Sequence, residues 1–281
     1  MPTRFIHLSQ RTWLLLCLTL CTIIVPIQAM PIYQEDPYSK ENGYNCCDML
    51  ENGELLILQQ FLKPLDIVFD VGAHVGDWSI QALNCCPNIY IHAFEPNPLA
   101  CTAFINQLQG SPVNLYPFAL SNEMGTRSLV SYVNALGNDP LNGSMLNSFF
   151  HRTVIEQLQT AQYNHSIIQI YTASLDDFCI INKINHIDFL KIDTEGAELL
   201  ILKGARQLLS NNKIKNIQFE YGGTYPDAGI TLKEVYDLLT FYNYALFRIL
   251  PHGLLCIPHW DSSLENYQYS NYFATKIIEY K

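Results

Sequence analysis

The chain has 281 residues, 49% of them hydrophobic, and a net charge of −10. That length holds one large domain or two small ones with a real core. The acidic balance, with no Lys/Arg cluster, argues against a nucleic-acid partner, and there is no internal repeat or long low-complexity stretch.

Arg4 and Arg11 precede an apolar run from Trp13 to Ile27, and Ala29 offers a small residue for cleavage. This layout reads as a signal peptide or membrane anchor over residues 1–29. It predicts an exported or membrane-associated protein, with membrane association through residues 13–27. A start at Met30 would instead leave a cytoplasmic one. Of nine cysteines, Cys17 and Cys21 fall in this run. The other seven, an odd number without CxxC spacing, argue against a disulfide framework or a zinc site. Asn142 and Asn164 open N-x-S sequons, which matter only in a secreted eukaryotic chain.

Residues 30–63 read as a linker followed by a cap helix over Glu54–Leu62, which Pro64 stops. From residue 64 to 281 the pattern is that of one α/β domain. Strands are expected at Ile67–Val71, Asn88–Glu95, Val113–Leu120, Thr126–Val133, Ile167–Ala173, Ile187–Ile192 and Ile214–Glu220. Helices are expected at Asp77–Asn84, Leu99–Leu108, Ala197–Leu209 and Leu232–Tyr242. Asn134–Ser166 opens with turn residues and carries a predicted helix over Thr153–Gln162; it reads as a lid or as a plain surface excursion. Ala245–Leu250, Leu254–Pro258 and Tyr272–Ile277 read as closing strands. The alternation predicts a mostly parallel, doubly wound α/β sheet with an antiparallel edge.

Two stretches carry the chemistry. IVFDVGAHVGDWS, Ile67–Ser79, is a strand, a glycine turn and the start of a helix. Such a turn aims unpaired N–H groups and a positive helix dipole at the strand end. Asp70 ahead of the glycines would repel a pyrophosphate, and His74 stands where a dinucleotide fingerprint wants its central glycine. Both weigh against a nicotinamide-dependent oxidoreductase. Glu95 closes the next strand, where an acid commonly bonds a ribose diol. An ordinary βα turn with a capping acid is the plainer reading. FLKIDTEGAELLILKGA, Phe189–Ala205, repeats the plan with Lys191, Asp193, Glu195 and Glu198. Asp193 or Glu195 is a candidate to take a hydroxyl proton. Lys191 is a candidate to pair with Asp193 or to neutralise a developing alkoxide, although a structural lysine fits as well. Glu198 reads as a helix-start acid, and no His stands at ligand spacing for a metal.

DVGAHVG, AFEPNP, SLDDF, FLKIDTEGAELLILKGA and IQFEYG, in this order, resemble the FkbM family of S-adenosylmethionine-dependent methyltransferases across Asp66–Tyr221. The chain differs from the family's usual pattern at His74 and Trp78. The resemblance implies a Rossmann-like class I methyltransferase fold and S-adenosyl-L-methionine as cofactor. The implied cofactor loop is Asp70, Gly72, Ala73, His74 and Gly76, with Glu95 and Asn97 following. The expected reaction is O-methylation of a hydroxyl on a sugar, glycolipid or similar small molecule. An exported binding protein that kept the fold without the chemistry is the rival.

Overall fold

The computed structural model describes residues 44–134, 146–153 and 163–277. The leader, Asn142 and the expected helix beyond Thr153 lie outside these residues. Among the described residues no helix is long and apolar enough to cross a membrane.

The chain runs α1 (Glu54–Phe61), β1 (Ile67–Val71), α2 (Asp77–Cys85), β2 (Tyr90–Phe94), α3 (Pro98–Gln107), β3 (Val113–Tyr116), β4 (Ala119–Ser121), β5 (Gly125–Asn134) and β6 (Tyr163–Ser174). It continues α4 (Leu175–Ile181), β7 (Ile187–Ile192), α5 (Glu198–Lys203), α6 (Arg206–Ser210), β8 (Ile214–Tyr221), α7 (Thr224–Ala228), α8 (Leu232–Phe241), β9 (Tyr244–Leu250), β10 (Gly253–Ile257) and β11 (Ser270–Lys276).

Eight strands form one sheet in the order β10-β9-β11-β8-β7-β1-β2-β3. The five from β8 to β3 are mutually parallel, while β11, β9 and β10 add an antiparallel edge. The near-continuous apolar runs of β1 and β7 follow from burial on both faces. Phe69 and Val71 enter one cluster with Phe94, Leu190 and the helices after β6. Val68 enters the other with Ile57, Leu58, Ala82 and Phe273. Each such fully buried large side chain is worth roughly 1.5–3 kcal/mol. The strand order reverses between β1 and its neighbours β2 and β7, the switch point where α/β sheets bind ligands beyond the strand carboxyl ends.

Two expectations change. The strand predicted over Val113–Leu120 is two strands in two sheets. Pro117 has no N–H to donate, so β3 ends the large sheet at Tyr116. The chain turns, and β4 pairs with β6 in a separate sheet ordered β4-β6-β5. The single helix predicted over Ala197–Leu209 breaks into α5 and α6 at Gly204-Ala205. There the backbone presses on β4 so closely that a Cβ on Gly204 would lie 2.1 Å from the Ser121 carbonyl oxygen.

Candidate active site

The turn after β1 is built by close backbone approach. Gly72 has φ +79°, and a Cβ there would stand 1.8 Å from the Asp193 carbonyl oxygen, so only glycine fits. The Gly72 and Ala73 N–H groups both donate to the Phe94 carbonyl at 3.0 Å. His74 takes the left-handed region, φ +46°, and its N–H donates to Glu95 Oε2 at 2.9 Å. Burial lowers the His74 pKa, so its ring favours the neutral form. Gly76 precedes α2, whose N-terminus has no side-chain cap.

Glu95 is pinned from two sides. Besides His74, the Asn97 N–H donates to its Oε1 at 2.7 Å. Burial pushes the carboxyl up to about 7, and the two N–H groups pull against that rise. Asn97 also caps α3 through the Leu99 N–H at 2.9 Å, an arrangement that the Asn-Pro start encodes locally.

Asp70 is fully buried. Its Oδ2 accepts from the Ser79 hydroxyl at 2.7 Å, and its Oδ1 lies 3.1 Å from Lys191 Nζ. Lys191 also donates to the Gly72 carbonyl at 3.0 Å and lies 3.5 Å from Asp193 Oδ2. Burial alone would discharge this lysine. The carboxylates of Asp70 and Asp193 outweigh it, and the lysine's pKa ends above its ordinary value.

The second turn is rich in carboxyls. The Glu198 side chain accepts from the Thr194 N–H and hydroxyl, both at 2.9 Å, and from the Gly196 N–H at 3.1 Å. It therefore braces the turn, and its burial raises the carboxyl to about 7. Glu195 has φ +57°. Its Oε2 pairs with Arg152 at 2.6 Å, while its carbonyl accepts from the Ser148 hydroxyl at 2.6 Å. Burial pushes this carboxyl up to about 7 against the pull of Arg152. Segment 146–153 is thus tied over the turn. Glu220, the penultimate residue of β8, follows the register partner of Ile192 and so sits next to Asp193, and burial with the surrounding acids holds it well above the ordinary carboxyl range.

These elements surround a cavity of about 730 Å³. Of the residues singled out from sequence, Gly72, Ala73, His74, Glu95, Lys191, Asp193 and Glu195 line it. Asp70, Gly76 and Asn97 stand behind that wall: Asp70 holds Lys191, and Asn97 holds Glu95. Phe94, Pro96, Ala119, Leu120 and Phe149 make an apolar side. The lining also includes Glu54, Arg152, Glu220 and Tyr269. Sequence reasoning gave Glu54, Arg152 and Tyr269 no role. Glu220, like Asp70, Glu95 and Asp193, falls at a strand carboxyl end expected from sequence, where a site collects acids; Tyr269 and Glu54 are far apart in sequence and only folding brings them together. Among the described residues no group of three His, Cys, Asp or Glu side chains is arranged to hold a metal ion.

A mostly parallel sheet with an antiparallel edge, a glycine turn, a strand-end acid and a cavity at its switch point is the Rossmann-like class I methyltransferase fold. Residues 70–246 match the methyltransferase FkbM domain, and the chain belongs to that family. It is similar to the 2-O-methyltransferase NoeI of Sinorhizobium fredii, 23% identical over 200 residues that span 68% of this chain and 77% of that protein. It is also similar to the 31-O-demethyl-FK506 methyltransferase FkbM of Streptomyces tacrolimicus, 30% identical over 161 residues, 51% of this chain and 60% of that one. The solved plantazolicin methyltransferase BpumL in complex with SAH overlays with a TM-score of 0.42 at 10% identity, covering 82% of this chain and 86% of that one.

Proposed function

We propose that the cavity binds S-adenosyl-L-methionine and that the protein methylates a hydroxyl on a sugar, glycolipid or similar small molecule. The observation that carries the cofactor assignment is Glu95. Its carboxylate lines the cavity at the end of β2, fixed by two backbone N–H groups, with lone pairs left for a ribose diol. Two further features fit the same group. The apolar side formed by Phe94, Pro96, Ala119 and Leu120 suits a planar base. Asp77 and Trp78, which open the uncapped α2, also line the cavity, and first-turn amides there suit an amino-acid carboxylate.

When bound, the cofactor supplies a methyl group on a cationic sulfur. The chain's own task is to hold the acceptor oxygen in line and to take its proton. Asp193 suits that task best. Its side chain is 40% exposed, whereas Glu195 is committed to Arg152. Lys191 orients Asp193 and, through the Gly72 carbonyl, fixes the cofactor turn against it. The O-methyltransferase names of NoeI and FkbM support oxygen as the acceptor atom.

Calorimetric titration with S-adenosylhomocysteine tests this reading, with NAD as the comparison ligand. Micromolar binding of the former alone is expected, and Glu95→Ala is expected to abolish it. Unchanged affinity in that variant would remove Glu95 from the cofactor site, and binding of NAD alone would overturn the cofactor assignment.

A further inference from the structure

Asp193 and Glu220 follow from the pairing of β7 with β8. The strands are parallel and in register through Ile192 and Phe219, so the next residue of each sits side by side at the strand ends. Both side chains line the cavity, and burial together with the neighbouring Asp193 makes Glu220 hold a proton more readily than an ordinary carboxyl. Two ionised carboxylates offer acceptors only, so neighbours at the ends of paired strands can bond to each other directly once one of them carries a proton.

We propose that Asp193 and Glu220 share one proton and act as a unit, with Glu220 as the positioning residue that presents Asp193 to the acceptor hydroxyl. The proposal rests on the methyl-transfer reading for its role in the reaction, while the shared proton itself stands apart from that reading.

The surroundings favour the singly protonated state. Glu195 and Glu198 add negative charge from the turn after β7. Tyr269 faces Glu220 from the loop before β11 and also feels Glu54 on α1. The Tyr225 hydroxyl from α7 donates to the Glu220 carbonyl at 3.1 Å, not to its carboxyl. The nearby cations are already engaged: Lys191 with Asp70, Asp193 and the Gly72 carbonyl, Arg152 with Glu195. Full ionisation of both acids would therefore set two negative charges side by side with only the shared Lys191 beside Asp193.

The arrangement has a chemical use. Glu220 donates its proton to one Asp193 oxygen and leaves the other facing the cavity. When an acceptor hydroxyl loses its proton, the O–H bond breaks and an O–H bond forms on that free Asp193 oxygen. The pair then holds two protons and returns one to solvent. The amide of Gln at position 220 reproduces the donor but not the proton. Ala reproduces neither, and it is expected to lower turnover roughly ten- to hundredfold relative to Gln by loss of a hydrogen bond to a charged group.

The decisive experiment needs no acceptor. Infrared spectra of the full chain are recorded at about pH 8.5, above the ordinary carboxyl range. A protonated-carboxyl carbonyl band is expected in the wild type and is expected to vanish in Glu220→Gln. Should that variant fail to fold by circular dichroism, Asp193→Asn serves in its place, since its amide donates to Glu220 and frees that acid to ionise. A wild type without the band, or a folded variant that keeps it at full strength, overturns the shared proton. S-adenosylhomocysteine titration of the same samples reports on the cofactor reading alone. Absent binding with the band present would sink that reading and leave the proton pair intact.

Discussion

The two strand-turn-helix units at the cavity use acids in opposite ways. Around the turn after β1, each carboxyl is satisfied by a fixed donor: Asp70 by Ser79 and Lys191, Glu95 by the His74 and Asn97 N–H groups. Around the turn after β7, Glu195 has Arg152 and Glu198 has the Thr194 and Gly196 donors, but burial first, and then neighbouring acids, raise the proton affinity of Glu195, Glu198 and Glu220. The first turn is organised to hold a ligand without changing. The second is organised so that protons can move. Lys191 joins them, touching Asp70 and the Gly72 carbonyl on one side and Asp193 on the other.

Removing that shared cation is the hardest blow to the comparison. Lys191→Met leaves the fully buried Asp70 with only the Ser79 hydroxyl. An orphaned buried charge of this kind costs about 3–5 kcal/mol, read as a lower denaturant midpoint. Pairing it with Asp70→Asn is expected to restore much of the loss, because the uncompensated charge is then gone. A single variant of wild-type stability would mean that the two turns are not held together through Lys191.

The acid-rich turn should also make stability depend on pH. Glu198 is 1% exposed, and its carboxyl lies at about 7 when folded against an ordinary value of 4.5. For an acid raised in this way the folded state binds the extra proton. Its contribution is therefore full below the unfolded value and falls as pH rises from about 4.5 to 7. The full difference is roughly 3 kcal/mol. Glu198→Gln is expected to flatten the decline in denaturant midpoint between these pH values. An equally steep decline in the variant would take Glu198 out of the pH response.

Gly72→Ala tests the rigid turn. The added methyl meets the Asp193 carbonyl oxygen at a φ of +79°, so the turn must open. A destabilisation of about 1–3 kcal/mol is expected, together with weakened S-adenosylhomocysteine binding. A variant that binds normally would show that the close approach of the two turns is not needed for the cofactor.

The same contrast marks how far the sequence could be read. Both turns were legible because each is local: an apolar strand, a glycine or acidic turn, then helical spacing. Asp70 was visible as an acid two residues before Gly72, but its partner is 121 residues away at Lys191, and nothing local says that it faces inward. The three-stranded sheet was hidden because Pro117 splits one apolar run, and the fate of its second half depends on β6, about fifty residues later. Glu54 and Tyr269 reach the cavity from opposite ends of the domain. Glu54 gives no local sign that Gln218 and Asn271 donate to its carboxyl, at 2.5 and 3.0 Å. Spacing reveals which residues share an element; it does not reveal which elements share a wall.

Arg152 produces the smallest expected effect and the finest distinction. It is one of the links between segment 146–153 and the second turn, but the pair is partly open to solvent, with side-chain exposures of 16% for Arg152 and 22% for Glu195. Pairs of this kind contribute under about 1 kcal/mol. The segment also keeps the Ser148 hydroxyl bond to the Glu195 carbonyl and the Arg152 N–H bond to the Tyr132 hydroxyl. Arg152→Gln should therefore change the denaturant midpoint little, while removing the positive charge that opposes the burial-driven rise of the Glu195 carboxyl. Glu195 then joins the crowded acids as a proton holder, and the pH profile of turnover on an acceptor found by screening should shift upward. An unchanged profile would assign Glu195 to bracing the segment and leave proton movement to Asp193 and Glu220. A large loss of stability would mean that the ion pair, not the Ser148 and Tyr132 contacts, holds the segment over the cavity.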